Sequence, residues 1–228
     1  MSAPHSHHPH FGPRAIALYG GSYDPIHVGH LAVAQAAQRR FHLDAIYFIP
    51  SSRPPHKTKR ELAPFIHRYA MVALACAEHH GFIASLAEAG ADGASAHVFY
   101  SIDTVRKFRR EHPHDQLYFI LGADSFLEIP TWKNYEALLE SCDFIIAHRP
   151  GFRPEPLRLV IPPELLGRIP SHDPHTIMLR KSRIHFLSTV SSHVSSTEIR
   201  ERRKHGQAIH GLVPARVEEY ILEQALYQ

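Results

Sequence analysis

Cysteine is nearly absent from this chain of 228 residues: there are two, Cys76 and Cys142, each inside an apolar segment. A secreted disulfide scaffold needs more, so buried, reduced thiols in a cytoplasmic protein are expected. Tryptophan occurs once, as Trp132. No apolar run approaches the ~18 residues of a membrane span, and the N-terminus lacks the hydrophobic stretch of a signal peptide. An excess of one charge is missing too. Lys and Arg number 25 against 22 Asp and Glu, mixed along the chain, whereas a nucleic-acid binder concentrates basic residues on one face or tail. Neither nucleic acid nor a membrane is therefore expected as a partner; small anionic molecules are. Three common signatures are lacking as well: the phosphate loop ending in Gly-Lys-Ser/Thr, the Gly-x-Gly-x-x-Gly fingerprint and the His-Glu-x-x-His zinc pattern. With no cysteine pair at ligand spacing, no protein-held metal is expected.

What is abundant is histidine, at 21 residues. Residues 1–13 carry His5, His7, His8 and His10 among Pro and Ser and are expected to form a disordered tail. Residues 14–228 are expected to form one domain, since 44% hydrophobic content suffices for one substantial core. Apolar runs at 15–19, 45–49, 82–85, 117–121, 144–147 and 184–187 read as strands. Helical patterns at 28–41, 64–78, 102–111, 132–140, 196–205 and 214–227 alternate with them. Such alternation indicates an α/β, Rossmann-like parallel sheet with helices on both faces, closed by C-terminal helices. Residues 151–180 are least regular, with six prolines between 151 and 175, and are expected to be a surface insertion holding a short helix at 162–166. The cations Arg106, Lys107, Arg109 and Arg110 are assigned to solvent.

The first strand ends in Gly20-Gly21-Ser22-Tyr23-Asp24-Pro25-Ile26-His27-Val28-Gly29-His30, which then opens a helix. In an open parallel sheet this is the carboxyl edge, where ligands bind. Glycines let backbone approach a ligand, and amides at a helix start attract phosphate oxygens. His27 and His30, three apart, can turn both rings toward one bound group. Far downstream, Ser195-Ser196-Thr197-Glu198-Ile199-Arg200 places hydroxyls, free amides and an arginine at another helix start, a second anion site.

The first motif resembles the signature of the nucleotidyltransferase superfamily that shares HxGH with class I aminoacyl-tRNA synthetases. The second is similar to the superfamily's ISSTxIR element, with Val194 in place of isoleucine. Between them stand Pro54-Pro55-His56-Lys57, Arg68 with Met71, Tyr100-Ser101-Ile102-Asp103-Thr104, Leu121-Gly122-Ala123-Asp124-Ser125, Pro130-Thr131-Trp132 and Arg149-Pro150-Gly151. These resemble the bacterial nicotinate-nucleotide adenylyltransferase branch, in order, from about residue 15 to 220. Departures are Tyr23 for phenylalanine, Ser101 for threonine and the stretch after Gly151.

The resemblance implies an enzyme that transfers the adenylyl group of ATP to nicotinate mononucleotide, with Mg2+ accompanying ATP. It implies ATP contacts from Gly20, Gly21, Ser22, Tyr23, His27, Gly29, His30, Gly122, Asp124, Ser195, Ser196, Thr197 and Arg200, with His27, His30 and Arg200 catalytic. Mononucleotide contacts are implied for Asp24, His56, Lys57, Ser101, Trp132, Lys133 and Arg149. A tryptophan suits an electron-poor pyridine ring, and backbone amides near Ser101 and Lys133 would favour a carboxylate over a carboxamide. Nicotinamide mononucleotide, pantetheine phosphate as acceptor, and a noncatalytic nucleotide sensor are the competing readings. The sequence leaves a homo-oligomer open.

Overall fold

The apolar run that follows Arg14 is the centre of a seven-stranded sheet in the computed structural model, which describes residues 12–52, 62–89, 98–148, 155–168, 173–188 and 194–228. Strand β1 (Ala15–Gly21) lies between β2 (Ala45–Pro50) and β4 (Gln116–Gly122), parallel to both. Outside these lie β3 (Phe82–Ala84) on one side, and β5 (Asp143–His148), β7 (Arg183–Ser188) and β6 (Thr176–Met178) on the other. The spatial order is β3-β2-β1-β4-β5-β7-β6. All neighbours are parallel except β6, which pairs antiparallel with β7 at the edge.

Alternation along β1 divides the core into two layers, because successive side chains of a strand leave opposite faces. Ile16 and Leu18 join Phe119, Phe144, Ile102, Val105, Phe126, Leu138 and Leu157 on one face. The last five come from α3 (Ser101–Glu111), α4 (Ala123–Leu127), α5 (Tyr135–Leu139) and α6 (Glu155–Leu159). Ala17 and Tyr19 join Ala34, Met71, Val72, Ile199, Val217 and Ile221 on the other. Those belong to α1 (Val28–Phe41), α2 (Phe65–Cys76), α7 (Ser196–Lys204) and α8 (Ala215–Glu223). A strand buried on both faces must be apolar throughout, which is why 15–19 lacks a polar residue. Cys76 and Cys142 are buried and free, and burial pushes the Cys76 thiol up to about 12.

The Rossmann-like α/β expectation is met, with local differences. The helix read at 132–140 is only α5; Ile129–Thr131 is a 3-10 turn, Trp132 is extended and Asn134 is left-handed at φ 51°. Two breaks in three residues stop a helix there, although the apolar spacing suggested one. Helix α4 was not anticipated. The stretch 151–180 is not confined to the surface. Leu157, Ile161 and Leu165, four apart, are buried in the first layer with Ile177 and Leu179, and β6 extends the sheet. Prolines in this stretch obscured that helical spacing.

Chain order reverses direction between β1 and β4, one leading to β2 and the other to β5. At such a switch point the connections leave to opposite sides and open a crevice at the carboxyl ends. Gly20, Gly21 and Gly122 end the two strands there.

Candidate active site

The loop from β1 to α1 turns sharply after Gly21. Tyr23 takes a left-handed conformation, φ 46°, and its ring folds back over Gly21, where a Cβ would lie 3.0 Å from the ring. Its hydroxyl donates to the Tyr19 carbonyl at 2.7 Å. Tyr23, expected at ATP, is 1% exposed, so its side chain is core and only its backbone remains for a ligand.

His27 is the N-cap of α1. Its ring and that of His30 lie 3.8 Å apart, tilted by 30°, as their spacing predicted. The His27 backbone N–H donates to Nδ1 of His30 at 3.2 Å. A nitrogen that accepts carries no proton, so His30 presents Nε2–H as a donor. His27 is buried, and among the described residues its Nδ1 has no hydrogen-bond partner. Such an orphan costs roughly 1–3 kcal/mol and points to a partner supplied by a ligand. Burial also pushes the His27 imidazole down to about 4. The stacked pair therefore offers hydrogen bonds and not positive charge. The Val28 amide is taken by the Leu212 carbonyl at 3.1 Å, so it is not among the donors left for an anion.

Charge comes from α7. Ser195 caps it, accepting from the Glu198 amide at 3.1 Å. The Ser196 hydroxyl donates to the Pro25 carbonyl at 2.9 Å, joining the second motif to the first. Arg200, buried, donates from Nη1 to the Asp24 carbonyl at 2.6 Å and from Nη2 to Thr197 Oγ1 at 2.9 Å. The two anion motifs, distant in sequence, thus form one cradle. Their hydroxyls differ in what they have left. Ser195 and Thr197 accept and still have a proton to give; Ser196 has already spent its own.

Asp24 was expected at the mononucleotide, and its side chain is buried within the protein. Its carboxylate is 1% exposed and is held by the Ala63 amide at 3.2 Å and the Tyr227 hydroxyl at 2.9 Å, both on Oδ1. It ties the cradle to α2 and to the end of α8. Arg68 was noted only as part of a resemblance, yet it organises the strand ends. Its guanidinium, 1% exposed, donates to the carbonyls of Ser22 and Ser51, both at 2.7 Å, Ser52 at 3.2 Å and Ala63 at 2.8 Å. An arginine on the apolar face of a helix was the available signal.

Beside the cradle is a hollow of about 420 Å³. Gly20, Gly21 and Ser22 form one wall, and Ser101, Trp132 and Lys133 another, so these expected residues share one space. Trp132 packs partly against the first core layer. The Lys133 ammonium sits 4.0 Å from the Tyr100 ring centroid and 3.8 Å from Asp103. Glu88, Tyr100, Thr104, Ser125 and Glu128 also line the hollow and were not anticipated as ligands. Glu88 accepts from Thr104 Oγ1 at 2.9 Å, yet burial outweighs that bond and pushes its carboxyl up to about 7. Gly122 and Asp124 lie on the same carboxyl edge, exposed, outside the walls of the hollow. His56, Lys57 and Arg149 lie outside the described residues, as does nearly all of the histidine-rich tail.

Among the described residues, no three His, Cys, Asp or Glu side chains gather as metal ligands, and no helix is long and apolar enough to cross a membrane. A sheet with this switch point, a histidine pair at the first helix and an arginine from a late helix define a nucleotidyltransferase-like α/β protein, and residues 18–202 match the cytidylyltransferase-like family model. A relative from Moorella thermoacetica, named "Probable nicotinate-nucleotide adenylyltransferase", is 42% identical over 95% of this chain and 93% of its own. One from Geobacter sulfurreducens with the same name is 38% identical over 92% of this chain and 96% of its own. The chain belongs to the nicotinate-nucleotide adenylyltransferase family, nucleotidyltransferases of NAD biosynthesis. The fold is also similar to that of Plasmodium falciparum nicotinic acid mononucleotide adenylyltransferase complexed with NaAD, at TM-score 0.70 and 20% identity, covering 94% of this chain and 97% of that one.

Proposed function

We propose that this cleft joins the adenylyl group of ATP to the phosphate of nicotinate mononucleotide, giving nicotinate adenine dinucleotide and pyrophosphate. The observation that carries the reading is the convergence of His27, His30 and Arg200 on one loop, with an aromatic hollow beside it. Curated relatives named for this activity, and a neighbour of the same fold complexed with NaAD, support it.

In the reaction a phosphate oxygen of the mononucleotide attacks the α-phosphorus of ATP in line. One P–O bond forms, the bond to the β-phosphate oxygen breaks, and pyrophosphate takes the electron pair. A phosphate monoester, with a second pKa of about 6, is already an anion, so no protein base is needed. Catalysis then rests on placement and charge stabilisation. His30 Nε2–H and His27 donate to phosphate oxygens. Arg200, with Ser195, Thr197 and the backbone of Gly20, Gly21, Ser22, Tyr23 and Gly29, holds the leaving end. Trp132 stacks on the pyridine ring, and amides near Ser101 and Lys133 take its carboxylate. We assign Gly122 and Asp124 to the nucleotide, and His56, Lys57 and Arg149, on the family resemblance alone, to the mononucleotide. The cradle's donor set suits an anion, not a bare cation, so Mg2+ would be held by ATP itself and would supply charge neutralisation at the phosphates beside His27, His30 and Arg200. We place the reaction in the cytoplasm.

The test is a panel of nicotinate mononucleotide, nicotinamide mononucleotide and phosphopantetheine, each with MgATP, scored by product and pyrophosphate. Preferential formation of the nicotinate dinucleotide is expected. Preference for another acceptor would overturn the assignment, and absence of pyrophosphate with every acceptor would make the chain a nucleotide sensor.

A further inference from the structure

Tyr227 reaches Oδ1 of Asp24 across 203 positions of sequence. The approach is shaped for it: Ala225 and Tyr227 both adopt left-handed conformations, φ 50° and 63°, which non-glycine residues rarely take. Leu226 bonds back to the Ile221 carbonyl at 3.0 Å, and α8 is fixed to α2 by Tyr220 and His67 at 2.9 Å. Among the donors to Oδ1 of Asp24 are the Tyr227 hydroxyl and the Ala63 amide. Oδ2 stands 3.8 Å from Nη1 of Arg200, beyond hydrogen-bond reach, while the same Nη1 donates to the Asp24 backbone carbonyl at 2.6 Å. The guanidinium is thus hydrogen-bonded to a neutral carbonyl and the Thr197 hydroxyl, and its ion pair with the Asp24 carboxylate is a long one. A full contact between the two would spend on Asp24 the charge that a polyphosphate needs.

We propose that Tyr227 is a positioning residue of the phosphate cradle: by holding Oδ1 of Asp24 it keeps the carboxylate from closing on Arg200 and leaves that charge for the leaving phosphates. This rests on the reading of Arg200 as a phosphate ligand. Tyr227→Phe removes one oxygen and leaves the ring. Freed of one donor, Asp24 closes on Arg200.

The experiment measures pyrophosphate affinity by titration calorimetry, together with kcat and both KM values, for the wild type, Tyr227→Phe, Asp24→Asn and the double variant. Loss of a hydrogen bond of this kind is expected to weaken pyrophosphate binding and raise the KM for ATP by about fivefold, with the mononucleotide KM within about twofold. In the Asp24→Asn background, where no carboxylate competes, the same hydroxyl deletion is expected to change pyrophosphate affinity by less than about twofold. Unchanged pyrophosphate affinity in Tyr227→Phe overturns the proposal, and so does an equal loss in both backgrounds, which a merely structural role would give. Should Asp24→Asn not fold, Tyr227→Phe alone decides: a loss selective for pyrophosphate supports the proposal, and an equal loss for the mononucleotide overturns it. A wild type that binds pyrophosphate but forms no dinucleotide would refute the assigned reaction while leaving Tyr227 testable.

Discussion

The cradle and the hollow are adjacent but built on opposite plans. In the cradle nearly every described polar group is already bonded to another part of the chain: Arg200 to Asp24 and Thr197, Ser196 to Pro25, His30 to His27. The hollow is walled by side chains from separate elements, whose main ties are Thr104 to Glu88 and Lys133 to Tyr100. One region is pre-organised for charge and the other is shaped for a flat ring. Catalysis by positioning asks the first to be rigid, whereas recognition of the acceptor is a matter of fit.

The largest expected effect would break the cradle. Arg200→Ala should lower kcat/KM by about a hundredfold or more, roughly 3 kcal/mol, and steady-state kinetics would reveal it. His30→Ala should lower kcat by at least about tenfold, near 1.4 kcal/mol, with an unchanged circular dichroism spectrum. Wild-type turnover in that folded variant would remove His30 from the reaction. In the hollow, Trp132→Ala should raise the mononucleotide KM by about tenfold and that of ATP by less than about twofold, since one stacking contact is lost. Equal losses for both substrates would erase the distinction between the regions.

The smallest effect is on stability. Burial raises the Glu88 carboxyl to about 7 from its ordinary value of 4.5, so the folded protein holds its proton more tightly than the unfolded chain does. Its contribution is fully present below the unfolded value and is lost as pH rises through about 7. Glu88→Gln, which keeps the shape without the charge, should therefore raise the thermal midpoint relative to wild type at about pH 8 and not at about pH 4. A midpoint difference independent of pH would show that Glu88 is not desolvated in the hollow.

This contrast also explains what could be read from sequence. The cradle was legible because each half is contiguous: glycines, histidines, hydroxyls and an arginine sit within one turn of a helix start, where local geometry dictates their use. The layers were legible in the apolar runs, and the prolines between 151 and 175 hid the buried Leu157, Ile161 and Leu165. The hydrogen bonds of the Asp24 side chain with Ala63 and Tyr227 were not legible, because its neighbours line the cleft and those partners are distant in sequence. Glu88 and Arg68 carried no local pattern. Their importance depends on tertiary partners, Thr104 for one and four backbone carbonyls for the other.

Those four carbonyls belong to three parts of the chain: Ser22 just after β1, Ser51 and Ser52 just after β2, and Ala63 just before α2. A single guanidinium acts there as a rivet through all three, so an exchange at position 68 would act on the rims of β1 and β2 and on the start of α2 at once.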